Sequence, residues 1–153
     1  MIISIIIPVY NEIKTINILL QKVIEYEFLN FEIQKEIIVI DSNSTDGTSE
    51  ILEKYFKENK IILIKEPAAM GKGHAVRNGL KLASGELILI QDADLEYEVN
   101  DYQKLIDPIL NKEAYFVLGT RHKSINPFKM REMIESPFKA FVLNFGHLFL
   151  QSL

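Results

Sequence analysis

The chain has 153 residues, 25% of them charged and 48% hydrophobic, with a formal net charge of −4 and no cysteine. That balance is the one of an ordinary globular domain with a sizeable core, and it excludes a disordered chain or a collagen. Without thiols there is no Cys-ligated zinc, no iron–sulfur cluster, no disulfide scaffold and no thiol nucleophile, and the small negative charge carries no global signal for nucleic acid.

Ile2–Val9 is a near-continuous β-branched run, the pattern of a strand buried on both faces. The stretch MIISIIIPVY has no basic n-region and runs straight into Asn11 and Glu12, so it reads as that strand and not as a secretory leader. Ile13, Ile16, Leu20, Val23 and Ile24 then recur at helical spacing. Glu36–Ile40 is a second buried strand, and Ser49–Lys57 a helix with Glu50–Lys54 and Glu53–Lys57 four residues apart. Ile61–Lys65 is a third strand, and Gly73–Ala83 a helix with Ala75, Val76 and Leu80 inward. Glu86–Gln91 is a fourth strand. Asn100 with Gln103 reads as a capping box opening a helix through Leu110, and Ala114–Leu118 is a fifth strand. Ser124–Pro127 is the one loop-like seam, and Ser136-Pro137 caps a last predicted helix, Phe138–Leu150. Strands alternating with helices mean βαβ units. The expected fold is therefore α/β, with three layers and a mostly parallel sheet covered by helices on both faces.

In such sheets ligands bind beyond the carboxyl ends of the strands, so the residues that follow each strand are the ones to read. Asp92-Ala93-Asp94 follows LILIQ. Two carboxylates two residues apart on an extended chain end can share a hard cation, Mg²⁺ or Mn²⁺, with substrate phosphates completing the shell, and Glu96 adds a third oxygen ligand in reach. Helix-start acids are the plainer meaning of a lone DxD, but its place among other polar strand ends favours the metal. Asp41 sits at the tip of EIIVI, where a carboxylate can accept from a ribose hydroxyl or a base N–H; Asp46-Gly47 beyond it is ordinary turn chemistry. Gly71-Lys72-Gly73 precedes a helix. The glycines permit close backbone approach and Lys72 offers a point charge to phosphate, although a plain turn explains the same three residues. Pro8-Val9-Tyr10-Asn11-Glu12 ends strand one. Asn11 suits an N-cap, whereas Tyr10 and Glu12 are poor turn residues and can face a ligand base and ribose. Neither GxxxxGK[ST] nor GxGxxG after strand one is present, nor GxSxG, nor HExxH-like spacing of His74, His122 and His147.

Charge is unevenly spread: residues 1–120 carry 12 Lys+Arg against 19 Asp+Glu, and residues 121–153 carry 5 against 2. Arg121, Lys123, Lys129 and Arg131 form a basic cluster that can neutralise a phosphate. Phe138, Phe141, Val142, Phe145, Leu148 and Phe149 would form a wide apolar helix face. With Lys139 and the cluster before it, that face is core or lies on a membrane surface, and residues 136–153 are expected to contact an anionic membrane or to drive self-association. The uncharged stretch Ala140–Leu153 is 14 residues, short of the ~20 that span a bilayer.

Taken together, SIIIPVYNE, IIVIDSNSTDGT, GKGHAVRNGL, GELILIQDADLEYE and FVLGTRH resemble the family 2 glycosyltransferases of GT-A fold, in the family's order and spacing over residues 1–122. The likeness is to the dolichol- and polyprenol-phosphate mannosyl- and glucosyltransferase branch. The resemblance implies that Pro8, Tyr10, Glu12 and Asp41 contact the nucleoside. It implies that Asp92 and Asp94 are the DxD pair, with Asp94 a direct ligand of the metal and Glu96 standing where the branch often has Gln. Arg121 and, more loosely, Arg131 stand where the branch has arginines near the transferred sugar and acceptor phosphate. Ser42 and Asn43 depart from the common run DDGSTDGT, which leaves the base unassigned. The family's domains continue for many tens of residues more, so the chain reads as an N-terminal part of one, divided into a nucleotide-sugar-binding core (1–122) and a basic loop with an apolar helix (123–153).

The implied reaction is inverting transfer of a sugar from a nucleotide-diphosphate-sugar to a polyprenyl phosphate, with Mg²⁺ or Mn²⁺, at the cytoplasmic face of a membrane. Catalysis would rest on Asp92, Asp94, Arg121 and Arg131; the donor would be held by Pro8, Tyr10, Glu12, Asp41, Lys72 and Asp92. A glycan hydroxyl acceptor, which would need a general base, is one alternative. A nucleotide-binding module without catalysis is another, and an assembly protein built on the last helix a third. A nucleotidyltransferase would want a Gly-rich signature with Lys directly after strand one, and IPVYNE has neither.

Overall fold

The computed structural model describes residues 1–29 and 32–119, and the backbone of 140–144. Among the described residues six strands form one sheet: β1 (Ile2–Val9), β2 (Gln34–Asp41), β3 (Ile62–Lys65), β4 (Leu87–Ile90), β5 (Phe116–Gly119) and β6 (Ala140–Asn144). Their spatial order is β3-β2-β1-β4-β6-β5, and every pairing is parallel. The helices are α1 (Ile16–Glu25), α2 (Thr48–Lys57), α3 (Lys72–Leu82) and α4 (Tyr102–Leu110), the last preceded by a 3₁₀ turn at Val99–Asp101.

The isoleucine-rich strand β1 faces core on both sides. Ile3, Ile5 and Ile7 pack with Leu19, Leu20 and Val23 of α1, Leu52 of α2 and Leu105 and Ile106 of α4. Ile6, on the other face, packs with Ile38, Ile40, Ile88, Ile90 and with Ala75 and Val76 of α3. A fully buried side chain of this size contributes about 1.5–3 kcal/mol, so the middle of the sheet is where the fold is anchored. Helix α3 comes close because Gly79 has no side chain: a Cβ there would lie 2.5 Å from Ile6 Cγ2 and 2.9 Å from Ile40 Cδ1. The three-layer, parallel arrangement expected from the strand–helix alternation is thus the one observed.

Two expectations are corrected. The predicted helix Phe138–Leu150 is not helical where it is described: Ala140–Asn144 is a strand, hydrogen-bonded between β4 and β5. A short apolar run such as AFVLN fits either period, and the open slot between two parallel strands decides it. The remainder of that segment, and with it the apolar helix face proposed for membrane contact or self-association, lies outside the described residues. The capping box is also absent. Asn100 lies within the 3₁₀ turn and Asp101 is the residue before α4. The Gln103 side chain is used elsewhere, donating to Asp107 Oδ1 at 2.6 Å and accepting from the Leu29 N–H at 3.0 Å.

Candidate functional site

The carboxyl ends of β1, β2 and β4 open on one hollow of about 420 Å³, lined by Pro8, Val9, Tyr10, Glu12, Ser42, Ala69, Gly71, Lys72, Asp92, Ala93 and Asp94. Parallel strands make this inevitable, since every turn that follows a strand emerges on the same side of the sheet. The turns after β1 and β2 are stitched into one wall. The Asn11 N–H donates to Ser44 Oγ (3.0 Å), and Asn11 Oδ1 accepts from the Thr45 N–H (2.8 Å). The Glu12 N–H donates to Thr48 Oγ1 (2.9 Å) and the Ile13 N–H to Asp46 Oδ2 (3.1 Å). Asn11 adopts φ 55, a left-handed conformation that Asn tolerates better than most residues, and it joins two loops instead of capping α1. Glu12 Oε2 accepts the Thr15 hydroxyl at 2.7 Å, and Tyr10 is half exposed at the rim.

Asp41 is present at the tip of β2 but does not line the hollow. Its carboxylate is buried, only 1% exposed. One oxygen accepts the Ser44 N–H at 2.9 Å and the other accepts the Ser49 hydroxyl. Ser42, the next residue, does reach the hollow. Its hydroxyl donates to Glu66 Oε2 at 2.8 Å. Glu66 is itself buried and also meets His74 Nδ1 and Asn78 Nδ2, each at 2.7 Å from Oε1. Burial pushes the Glu66 carboxyl up, but the bonds from Ser42, His74 and Asn78 together outweigh it and hold the group below the usual carboxylate range. This network escaped the sequence reading because its members come from β2, the end of β3 and α3, and nothing in local spacing marks them as neighbours.

On the opposite wall, α3 begins at the hollow. Gly71 precedes it with φ 84, a conformation that strains any residue carrying a Cβ, and the open side of the turn has no atom within 4 Å of where that Cβ would be. Lys72, the first helical residue, places Nζ 2.5 Å from Asp92 Oδ1. Asp92 and Asp94 both line the hollow, and Asp94 Oδ1 accepts the Glu96 N–H at 3.0 Å, which curls the chain over Leu95 at φ 62. The Asp92 turn is braced from the core. The buried Tyr102 hydroxyl donates to Gln91 Oε1 (3.0 Å), and Gln91 Nε2 donates to the Asp92 carbonyl (2.9 Å). Gln91, read from sequence only as the end of a strand, is therefore a positioning residue.

Of the candidate residues, Pro8, Tyr10, Glu12, Lys72, Asp92 and Asp94 are brought to one hollow, Asp41 lies behind it, and Glu96 is exposed and is not part of its lining. Arg121 and Arg131 lie outside the described residues. Among the described residues no three His, Cys, Asp or Glu side chains form a ready metal cluster, so the expected trio Asp92, Asp94 and Glu96 is not assembled. The pair Asp92 and Asp94 still suits a hard cation whose other ligands come from a phosphate and water, since both are carboxylates lining a hollow with room for them. No helix among the described residues is long and apolar enough to cross a membrane.

Comparison with known proteins places these features in a family. The model of glycosyl transferase family 2 matches residues 4–150. A dolichyl-phosphate beta-glucosyltransferase of Trichomonas vaginalis is 39% identical over 126 residues, covering 76% of this chain and 37% of its own. The undecaprenyl-phosphate 4-deoxy-4-formamido-L-arabinose transferase of Proteus mirabilis is 31% identical over 124 residues, covering 80% and 37%. Among solved structures, a mannosyltransferase from Pyrobaculum calidifontis in complex with GDP-Man and Mn²⁺ superposes with a TM-score of 0.56 at 31% identity, over 65% of this chain and 29% of that one. The chain thus spans well under half the length of these relatives. The sheet and its flanking helices are those of the GT-A glycosyltransferases.

Proposed function

Because the chain belongs to glycosyl transferase family 2, we propose that its hollow takes a nucleotide-diphosphate-sugar and that the protein transfers the sugar to a polyprenyl phosphate. One observation carries the reading: Lys72 and the carboxylates Asp92 and Asp94, from separate turns, line the same hollow as Tyr10 and Glu12. A nucleoside diphosphate needs those two halves, a rim for base and ribose and a charged wall for the diphosphate. The start of α3, whose Gly71 and Lys72 line the hollow, adds the positive end of a helix dipole to the charged wall. The acceptor class is taken from the relatives that act on dolichyl or undecaprenyl phosphate.

In the proposed reaction the bond between the anomeric carbon and the donor's β-phosphate oxygen breaks, and a bond from the same carbon to an acceptor phosphate oxygen forms on the opposite face. The acceptor phosphate is already anionic near neutral pH, so it needs positioning and no general base. Charge accumulates on the departing diphosphate, and Lys72 would compensate it. Asp92 and Asp94 would hold a divalent cation, Mg²⁺ or Mn²⁺, which when bound offers Lewis-acid stabilisation of the same charge. Tyr10, Pro8 and Glu12 would bound the nucleoside, and Asp41 would support that wall from behind. Arg121 and Arg131 are assigned to the transferred sugar and the acceptor phosphate by resemblance. The sheet, to which Ala140–Asn144 also belongs, is the donor-binding unit in this reading, and the other residues beyond 122 would begin the acceptor side, next to a membrane surface that holds the lipid.

Calorimetry with UDP and GDP, each with and without Mn²⁺, tests the reading. One of the two nucleotides is expected to bind more tightly with the cation, and Asp94→Ala to abolish that difference while the protein stays folded. Binding that ignores Mn²⁺ in the unaltered chain would remove the metal from the site.

A further inference from the structure

The charged wall of the hollow is already internally neutralised at one point. Lys72 Nζ sits 2.5 Å from Asp92 Oδ1, and the pair is partly withdrawn from water, with side-chain exposures of 34% and 15%. Asp92 is also one of the two carboxylates that the proposed cation requires. The ammonium and the cation therefore compete for one carboxylate.

We propose that Lys72 is a built-in placeholder for the divalent cation, holding Asp92 until a nucleoside diphosphate arrives together with the metal. This rests on the reading of the hollow as a donor site. Three carboxylates, Glu12, Asp92 and Asp94, line the hollow with Lys72, so without the ammonium their mutual repulsion would be larger. A bare cation has to share the Asp92 carboxylate with Lys72 or displace it, and either way two positive groups lie side by side. A diphosphate changes the balance because it brings the anion that can receive the ammonium. The side of the turn next to Lys72 is open, with nothing within 4 Å of a Cβ at Gly71, so a phosphate can come near without moving the backbone. The four-carbon stem of Lys72 then lets Nζ turn from Asp92 to phosphate while its Cα stays in the first turn of α3. The exchange is a swap of ion partners with no covalent step. Its consequence is that metal and nucleotide enter together, because metal alone meets a resident competitor.

Titration of the chain with Mn²⁺ alone, followed by the paramagnetic resonance of free Mn²⁺, tests this against Lys72→Met and Lys72→Arg. Lys72→Met is expected to bind Mn²⁺ alone about tenfold more tightly than the unaltered chain, since a unit positive charge beside the ion is gone. The same variant is expected to lose about tenfold in affinity for UDP or GDP in the presence of Mn²⁺, the two effects having opposite signs. Lys72→Arg keeps the charge and is expected to stay near the unaltered chain for Mn²⁺ alone, and adding Asp92→Asn to Lys72→Met is expected to erase the gain. Thermal melts confirm that each variant is folded. If folded Lys72→Met binds Mn²⁺ alone no better than the unaltered chain, the placeholder role is overturned even where nucleotide binding remains metal-dependent. If the unaltered chain shows no metal-dependent nucleotide binding at all, the donor-site reading falls and this inference with it.

Discussion

Replacing Asp41 by Ala separates a nucleoside contact from a structural brace. A carboxylate at a strand tip reads as a ligand group, and on that reading alone its removal would weaken nucleotide binding and leave the fold untouched. The structure changes the expectation. The side chain is 1% exposed and accepts two bonds, from the Ser44 N–H at 2.9 Å and from the Ser49 hydroxyl. Bonds to a charged acceptor contribute about 1.5–3 kcal/mol each. The loss is at the lower end here, because the Ser49 hydroxyl has a second acceptor in the Ser44 carbonyl at 3.4 Å and because burying the carboxylate carries its own desolvation cost. Asp41→Ala is therefore expected to cost ~2–4 kcal/mol, a fall in melting temperature of about 5–15 °C for a chain of this size. Asp41→Asn keeps one acceptor and is expected to lose about half as much. Urea denaturation with linear extrapolation measures both. A change within ~0.5 kcal/mol for Asp41→Ala would refute the brace, since that is the range of surface substitutions with no role in the fold.

Gly79→Ala is expected to destabilise by ~1–3 kcal/mol, because the new methyl would meet Ile6 and Ile40 in the body of the sheet; denaturation curves read it directly. Acid should also weaken the fold through Glu66. Its folded value lies below the ordinary 4.5, so its contribution is complete above that value and is lost as pH falls through the lower folded one. Glu66→Gln is expected to flatten part of the stability loss on going from neutral pH to below 4.5. Only part should go, because Glu36 is likewise held low: burial raises it, and its bonds from Ser4 and Ser84 outweigh that. An unchanged acid slope in the variant would mean that Glu66 carries none of it.

Local pattern and site order were open to reading in different degrees. Strand β1 was legible because eight residues in a row are apolar or small and five of them are isoleucine, a pattern that no exposed or helical segment sustains. Lys72, Asp92 and Asp94 were legible because parallel topology gathers strand ends without any need to know side-chain contacts. Strand β6 was not, because its neighbours β4 and β5 decide its conformation and they are far away in sequence. The Ser42–Glu66–His74–Asn78 network and the Lys72–Asp92 pair were hidden for the same reason: each depends on how two turns face each other. Asp41 shows a subtler limit. Its place at the strand tip was right, and its direction was the missing fact, since the carboxylate turns back into its own loop.

The position of β6 has a consequence for how the chain reaches its final form. It is the last of the described strands in sequence, yet it lies inside the sheet, paired with Leu87–Ile90 on one side and with Phe116–Gly119 on the other. Until Ala140–Asn144 arrives, β4 ends the sheet with an unpaired row of backbone groups and β5 has no strand to pair with. A chain emerging from the ribosome therefore completes β3-β2-β1-β4 early and waits more than twenty residues past β5 for the wedge that joins it to the rest. Pairings over such a separation close slowly. During that wait the exposed edge belongs to the strand that leads into the turn carrying Asp92 and Asp94.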